Sequence, residues 1–299
     1  MKIIDIDVND INLQNVDNLH LCLGFFDGLH LGHQQLISYA LEKGKTGVMS
    51  FDVPPNFALG RNVVNSCLTS IYDKANLLES KGVEYLYILR MSKELLNMTR
   101  DEFIEKILKR INPCEIIVGE DYRFGYEAKG TPKYLSNYFQ TSIIPLLQIN
   151  HKKISSRNIK EYIASGEIES ANKLLGRNYM ITGLVIYGKG NGRMIDFPTA
   201  NLELDYPYVL PKIGVYMGYV SYLNKRYKAI ISVSTHPTIE ELKEPIIEVH
   251  LLYYNGDLYG KEIDVEFVSY MRDIVKFNSL EELKQQLRID KARAKNALL

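Results

Sequence analysis

At 299 residues the chain has room for about two domains, and with 46% hydrophobic and 24% charged residues it has the composition of ordinary packed cores. Its 36 basic side chains against 36 acidic ones leave no net charge, which argues against nucleic acid or an anionic membrane as partner. Cys22, Cys67 and Cys114 show neither metal-ligand spacing nor a disulfide framework, no signal peptide opens the chain, and no run reaches the roughly 20 apolar residues of a membrane helix, so a soluble protein of the reducing cytoplasm is expected.

Taken in order, residues 20–26 (HLCLGFF) read as a strand and 33–44 as a helix stopped by Gly44. Strand-like 46–52 follows, then a helix over 70–82, a strand over 84–90 and a helix over 99–111 that Thr99 is placed to cap. Residues 114–119 and 142–149 complete the strands of this half. Strands alternating with helices predict a parallel α/β sheet with right-handed crossovers. Beyond residue 177 the pattern becomes short β-rich runs separated by Gly- and Asn-rich turns, which predicts an antiparallel sheet or small barrel. A helix over 279–299 ends the chain. The change of period sets the expected domains at 1–177 and 178–299.

The stretch LGFFDGLHLGHQQLI (23–37) stands where the first strand should end and a helix begin. In an open parallel sheet that is where ligands sit. A glycine-rich turn admits close approach of backbone, and a helix N-terminus favours phosphate. His30 and His33, three apart, fall on one face of the helical start and can donate hydrogen bonds to phosphate oxygens. The pair alone also fits a solvated surface or two metal ligands, although no third Cys, His or carboxylate cluster stands nearby in sequence.

The whole chain resembles the bacterial bifunctional riboflavin kinase/FMN adenylyltransferases, or FAD synthetases. The resemblance rests on GFFDGLHLGH (24–33), VGEDYRFGYEAKG (118–130), ISSRNIK (154–160), GKGNGRMIDFPTANL (188–202) and EVHLLYYNGDLYGK (248–261), in this order. It implies a Rossmann-like nucleotidyltransferase domain followed by a β-barrel kinase domain with a C-terminal helix. Riboflavin would be phosphorylated to FMN, then FMN adenylylated to FAD with release of pyrophosphate, using ATP and Mg2+. Two other readings stay open: that one half alone is active, or that the chain is a non-catalytic flavin-binding regulator.

For adenylyl transfer the resemblance implies that Gly24, Phe25, Asp27, Gly28, His30 and His33 line the ATP phosphates, faced by Ser155, Ser156, Arg157 and Lys160. Asp121, Arg123, Phe124 and Gly125 would bind the flavin or shape its pocket. For the kinase it implies a phosphate loop of Gly188, Gly190, Gly192 and Arg193, with Thr199 and Asn201 holding magnesium-bridged ATP. Glu248 would be the base for the 5′-hydroxyl, and Arg272, Lys276 and Phe277 would lie next to the flavin. The chain departs from the family pattern at Pro54, Arg157, Lys160, Asp196, Ser232, Ser234 and Ile274. A lysine at 160 keeps a charge but loses the bidentate fork of arginine. These changes predict a slower or retuned adenylyl transfer, and Asp196 would add bulk and negative charge beside a phosphate.

Overall fold

Runs such as EIIVG and TGVMSF are buried along almost their whole length, as strands covered on both faces must be. In the computed structural model, which describes residues 1–9, 13, 15–54, 66–149, 152–187, 197–235 and 245–298, they form the centre of a parallel sheet. The chain divides into two compact units, Met1–Ser156 and Arg157–Leu299. The division falls before the expected 177/178 boundary because helices α4 (Ser156–Ser165) and α5 (Ile168–Leu175) precede it; Asn172 of α5 bonds to the backbone of the second unit at Phe267 and Tyr179.

The first unit holds β1 (Lys2–Ile6), β2 (His20–Leu23), β3 (Thr46–Phe51), β4 (Tyr85–Leu89), β5 (Glu115–Gly119) and β6 (Thr141–Ile144). They lie in the order β1-β4-β3-β2-β5-β6, all parallel. Neighbouring residues of one strand feed opposite cores: Leu21, Leu23, Tyr87, Leu89 and Val118 on one face, Cys22, Val48, Leu86, Ile88 and Ile117 on the other. Helices α1 (Leu31–Lys43) and α2 (Ile71–Ser80) follow β2 and lead to β4. A third helical stretch, α3 (100–111), is opened by a capping box of Thr99 and Glu102 and carries a π turn at Ile104–Leu108.

Strand order reverses at β2: the chain runs outward through β3 and β4, then returns to place β5 on the other side of β2. The carboxyl ends of β2 and β5 therefore flank the crevice where an open α/β sheet binds ligands. Two expected strands are shorter than predicted. Residues 24–26 leave the sheet for a tight turn, and the 142–149 run breaks after Ile144, with β7 (Gln148–Ile149) pairing instead with β8 (Lys152–Lys153). The edge strand β1 was not anticipated.

In the second unit alternation replaces continuous burial: YMITGLVI of β9 (Tyr179–Ile186) buries every other residue until its exposed end. With β10 (Ala200–Glu203), β11 (Gly214–Tyr222), β12 (Lys225–Thr235), β13 (Pro245–Leu251) and β14 (Glu262–Arg272) it closes an antiparallel barrel in the order β10-β13-β12-β11-β14-β9. Helix α6 (Leu280–Ala297), capped by Ser279, packs Ala294 into an outer cluster with Val215, Met217 and Ile230. The expected barrel and terminal helix are both present.

The barrel turns a sharp corner at Gly218, beside a register shift between β11 and β14. A Cβ there would lie 1.8 Å from the Glu266 carbonyl oxygen and 2.8 Å from Ile231 Cδ1. Gly218→Ala is therefore expected to destabilise the barrel by about 1–3 kcal/mol or more through overpacking. Chemical unfolding should show a lower midpoint; an unchanged midpoint would contradict the close approach.

Candidate active site

After β2 the backbone enters left-handed space at Phe26 (φ 54°), Gly28 (φ 77°) and Leu29 (φ 43°), folding Asp27–Leu29 into a single tight turn. Only Gly28 adopts this conformation without strain, so the neighbours must be held in it. Segment 67–74 supplies the hold. Asp27, 3% exposed, accepts the Leu68 N–H at Oδ1 (2.8 Å), and the Gly28 N–H donates to Thr69 Oγ1 (3.1 Å). Ser156 Oγ donates to the Asp27 carbonyl at 2.9 Å, so the start of α4 reaches the turn.

His30 closes the turn and caps α1: its Nδ1 accepts the His33 backbone N–H at 3.3 Å. That bond leaves the proton of the neutral ring on Nε2. The two imidazoles stack face to face, centroids 3.5 Å apart and planes 15° apart, and His33 meets Phe26 edge-on at 5.2 Å. Burial pushes the His30 pKa down to about 4. Burial, with the neighbouring His30 and Lys74 charges, holds His33 well below the ordinary imidazole range. Both rings are therefore neutral donors at neutral pH. His33 Nδ1 is buried with no hydrogen-bond partner among the described residues, a deficit that an incoming polar ligand would relieve.

Behind the turn lies a residue that sequence spacing did not single out. Lys74 of α2, 2% exposed, donates to the Phe25 carbonyl (2.7 Å) and to Ser50 Oγ (2.8 Å). Burial lowers its pKa to about 8, opposed by Asp27 and Cys67. The sequence signal is faint: one lysine among the buried positions of an amphipathic helix.

Past β5, Asp121 is exposed and ion-pairs with Lys153 at 2.6 Å, while exposed Arg123 donates to the Tyr122 carbonyl at 2.7 Å. Phe124 is a core residue, stacked on Tyr122 and packed on Phe103. Gly125 (φ 71°) lets the chain pass Arg100, whose backbone nitrogen a Cβ would approach to 2.6 Å. Pro54 is half-buried, and so is Ser155. Arg157 is exposed and Lys160 half-buried on α4, both beyond the division between the units.

In the barrel, Asn201 of β10 stands directly opposite Glu248 of β13, which stands opposite Ser232 of β12. Directly paired residues project to the same face. Their strand neighbours Ala200, Leu202, Ile247, Val249, Ile231 and Val233 are buried, so the polar row lies on the outer face, half-buried. Thr199, also half-buried, precedes β10. His250 was missed by sequence reasoning: buried, it hydrogen-bonds the Pro198 carbonyl through Nδ1 at 2.8 Å and stacks on Phe197 at 3.5 Å. It thereby fixes the segment that delivers Thr199 and Asn201. The row continues through Val215 to Arg272, whose guanidinium forks onto buried Asp290 of α6, with Nη2–Oδ2 at 2.6 Å. Lys276 is exposed and Phe277 half-buried in the following loop. Gly188, Gly190, Gly192, Arg193 and Asp196 lie outside the described residues.

The suppressed pKa of His30 has a sign that can be checked. The unfolded chain takes up a proton near pH 6.5 that the folded chain refuses until about pH 4, so stability should fall as pH drops through that window. His30→Gln should flatten that slope in acid-unfolding curves of the whole chain, whereas an unchanged slope would mean the ring is not held neutral by burial.

Among the described residues no helix is long and apolar enough to cross a membrane, and no group of three His, Cys, Asp or Glu side chains is placed to hold a metal. Residues 13–158 match the family model described as FAD synthetase, and residues 175–298 the one described as riboflavin kinase. The bifunctional riboflavin kinase/FMN adenylyltransferase of Bacillus subtilis (strain 168) is 35% identical, over 92% of this chain and 90% of its own length. That of Escherichia coli (strain K12) is 31% identical over 92% of this chain and 91% of its length. A crystal structure from Streptococcus pneumoniae, described as a macrolide-efflux protein, superposes with a TM-score of 0.90 at 33% identity, covering 99% of both chains. The chain belongs to the bifunctional riboflavin kinase/FMN adenylyltransferase family and is an enzyme of FAD biosynthesis from riboflavin.

Proposed function

We propose that the family's two reactions divide between an adenylyl-transfer domain, 1–177, and a riboflavin kinase domain, 178–299, each working at the site described above. The observation that carries this reading is the pairing of two neutral, stacked imidazoles at a helix start on the switch point of the first sheet with an opposed Asn201–Glu248 pair on the barrel. Other parts of the reading are finer. ATP would be the nucleotide, Mg2+ the cation, the cytoplasm the compartment, and small molecules the only ligands; balanced charge and three cysteines without a disulfide support the last two.

In the first reaction an oxygen of the FMN phosphate attacks the α-phosphorus of ATP, the bond from that phosphorus to the bridging oxygen breaks, and pyrophosphate leaves. No protein nucleophile is needed; the work is positioning and charge stabilisation. His30 donates from Nε2 to phosphate oxygen, and the His33 ring, fixed between His30 and Phe26, supplies the second donor. As negative charge builds, both imidazoles gain proton affinity, which strengthens the donors where they are required. Asp27, Gly24 and Gly28 shape the turn rather than touch the reacting atoms, and Phe124 and Gly125 shape the neighbouring wall.

In the second reaction Glu248 accepts the proton of the riboflavin 5′-hydroxyl as its oxygen attacks the γ-phosphorus of ATP, the bond from that phosphorus to the β,γ-bridging oxygen breaks, and ADP leaves. Thr199 and Asn201 offer hard, uncharged oxygens, a donor set that suits Mg2+ shared with phosphates. Bound there, Mg2+ would neutralise charge on the triphosphate. Arg272 acts at a distance, holding α6 through Asp290.

A product assay tests the division. The protein is incubated with ATP and Mg2+, starting from riboflavin or from FMN, and riboflavin, FMN and FAD are separated by chromatography. FAD is expected from both starts. His30→Ala or His33→Ala should cut FAD formation by about 10²-fold or more while FMN still forms. Glu248→Gln should cut FMN formation by about 10²-fold or more and spare FAD formation from supplied FMN. Loss of FMN formation in His30→Ala to the same degree would overturn the two-site division. Flavin binding without product from either start would favour a non-catalytic regulator.

A further inference from the structure

Lys74 is buried among neutral acceptors. Its ammonium touches the Phe25 carbonyl and Ser50 Oγ and sits 4.4 Å from the centroid of the Phe25 ring. Ser50 Oγ itself donates to the same carbonyl at 2.8 Å. Two donors thus converge on one peptide, that joining Phe25 to Phe26. Burying an ammonium is costly unless it is well hydrogen-bonded, so the site is built around this charge.

The consequence follows from peptide geometry. In a planar trans peptide the C=O and N–H point in opposite directions. Drawing the Phe25 carbonyl inward to Lys74 turns the Phe26 N–H outward. Phe26 is the first left-handed residue of the turn, and successive amides around such a reversal form an anion-binding concavity. Without the lysine the 25–26 peptide has less reason to hold its orientation, and the carbonyl's negative end could face the phosphates instead.

We propose that Lys74 is a positioning residue for adenylyl transfer: it orients the Phe25–Phe26 peptide so that its N–H, and the positive potential behind it, meet the phosphates of ATP. The proposal rests on placing adenylyl transfer at the 24–33 turn. Lys74 touches no substrate; it acts through the peptide. Its lowered pKa of about 8 adds a readout, because the orienting charge is lost within an accessible pH range. The charged and titratable groups facing it are Asp27 and Cys67, which raise its proton affinity, and His33, on which it acts in return. His30 and His33, both held below the ordinary imidazole range, are already neutral at neutral pH and contribute no alkaline change.

The test is the pH dependence of kcat/KM for ATP, with FMN supplied, measured on the full chain. The wild type should lose activity on an alkaline limb starting near pH 8. Lys74→Met should lower kcat/KM at pH 7 by roughly tenfold or more. Its profile should stay flat where the wild type falls. Ser50→Ala is the second variant, a small change that keeps the lysine but removes an acceptor from its ammonium, so the limb should move to lower pH. Cys67→Ala should keep an alkaline limb, moved if anything to lower pH because Cys67 raises the proton affinity of Lys74, whereas a limb set by the thiol itself would vanish. A Lys74→Met enzyme with full kcat/KM overturns the proposal, as does one that keeps the alkaline limb. Should Lys74→Met fail to fold, an unmoved limb in Ser50→Ala overturns it equally. If His30→Ala spares FAD formation, the placement of the reaction fails instead, and the two failures are distinguishable.

Discussion

The first unit depends on how one strained turn is held. Three residues around Asp27, Phe26, Gly28 and Leu29, sit at positive φ, and only Gly28 does so at no cost. The strain is offset by bonds from a segment more than forty residues away in sequence. Leu68 N–H binds Asp27, Thr69 Oγ1 takes the Gly28 N–H, and Lys74 takes the Phe25 carbonyl. The loop before α2 is thus as much a part of the site as the motif that carries the histidines. Because these bonds are buried, water cannot replace any that is lost. The turn then fixes where α1 begins, and the start of α1 fixes His30 and His33.

The histidines show why burial matters for chemistry. An exposed imidazole pair three residues apart would share a solvent-like pKa and fluctuate between rotamers. Here stacking, the cap to the His33 amide and burial remove that freedom. A neutral donor held in one orientation costs little reorganisation when charge develops nearby. The barrel reaches a comparable result by other means: cross-strand register, rather than a turn, sets Asn201 against Glu248. In a sheet that pairing is enforced by every ladder bond on either side, so two residues forty-seven positions apart keep their relation through the register itself.

Much of this was legible in residue order. The alternation of buried runs and helices gave the parallel sheet, and the period-2 runs after residue 177 gave the barrel. His30 and His33 stood out because glycines mark unusual backbone around them, whereas Thr199, Asn201 and Glu248 were read from the family resemblance of their motifs. Lys74, Thr69, Ser50 and His250 did not, because each acts through one long-range contact to a main-chain atom, and such contacts leave no spacing. The shortened β2 was also hidden: Phe25 and Phe26 have high strand propensity, and the turn overrides it.

The two sheets also differ in how they end. The parallel sheet leaves β1 and β6 each paired on one side only, whereas the described strands of the barrel close on one another. An open edge can recruit another chain, while a closed barrel has none to offer. The barrel is therefore the half better suited to change context over evolutionary time: it can be joined to different neighbours, or separated from them, without exposing main chain that invites aggregation.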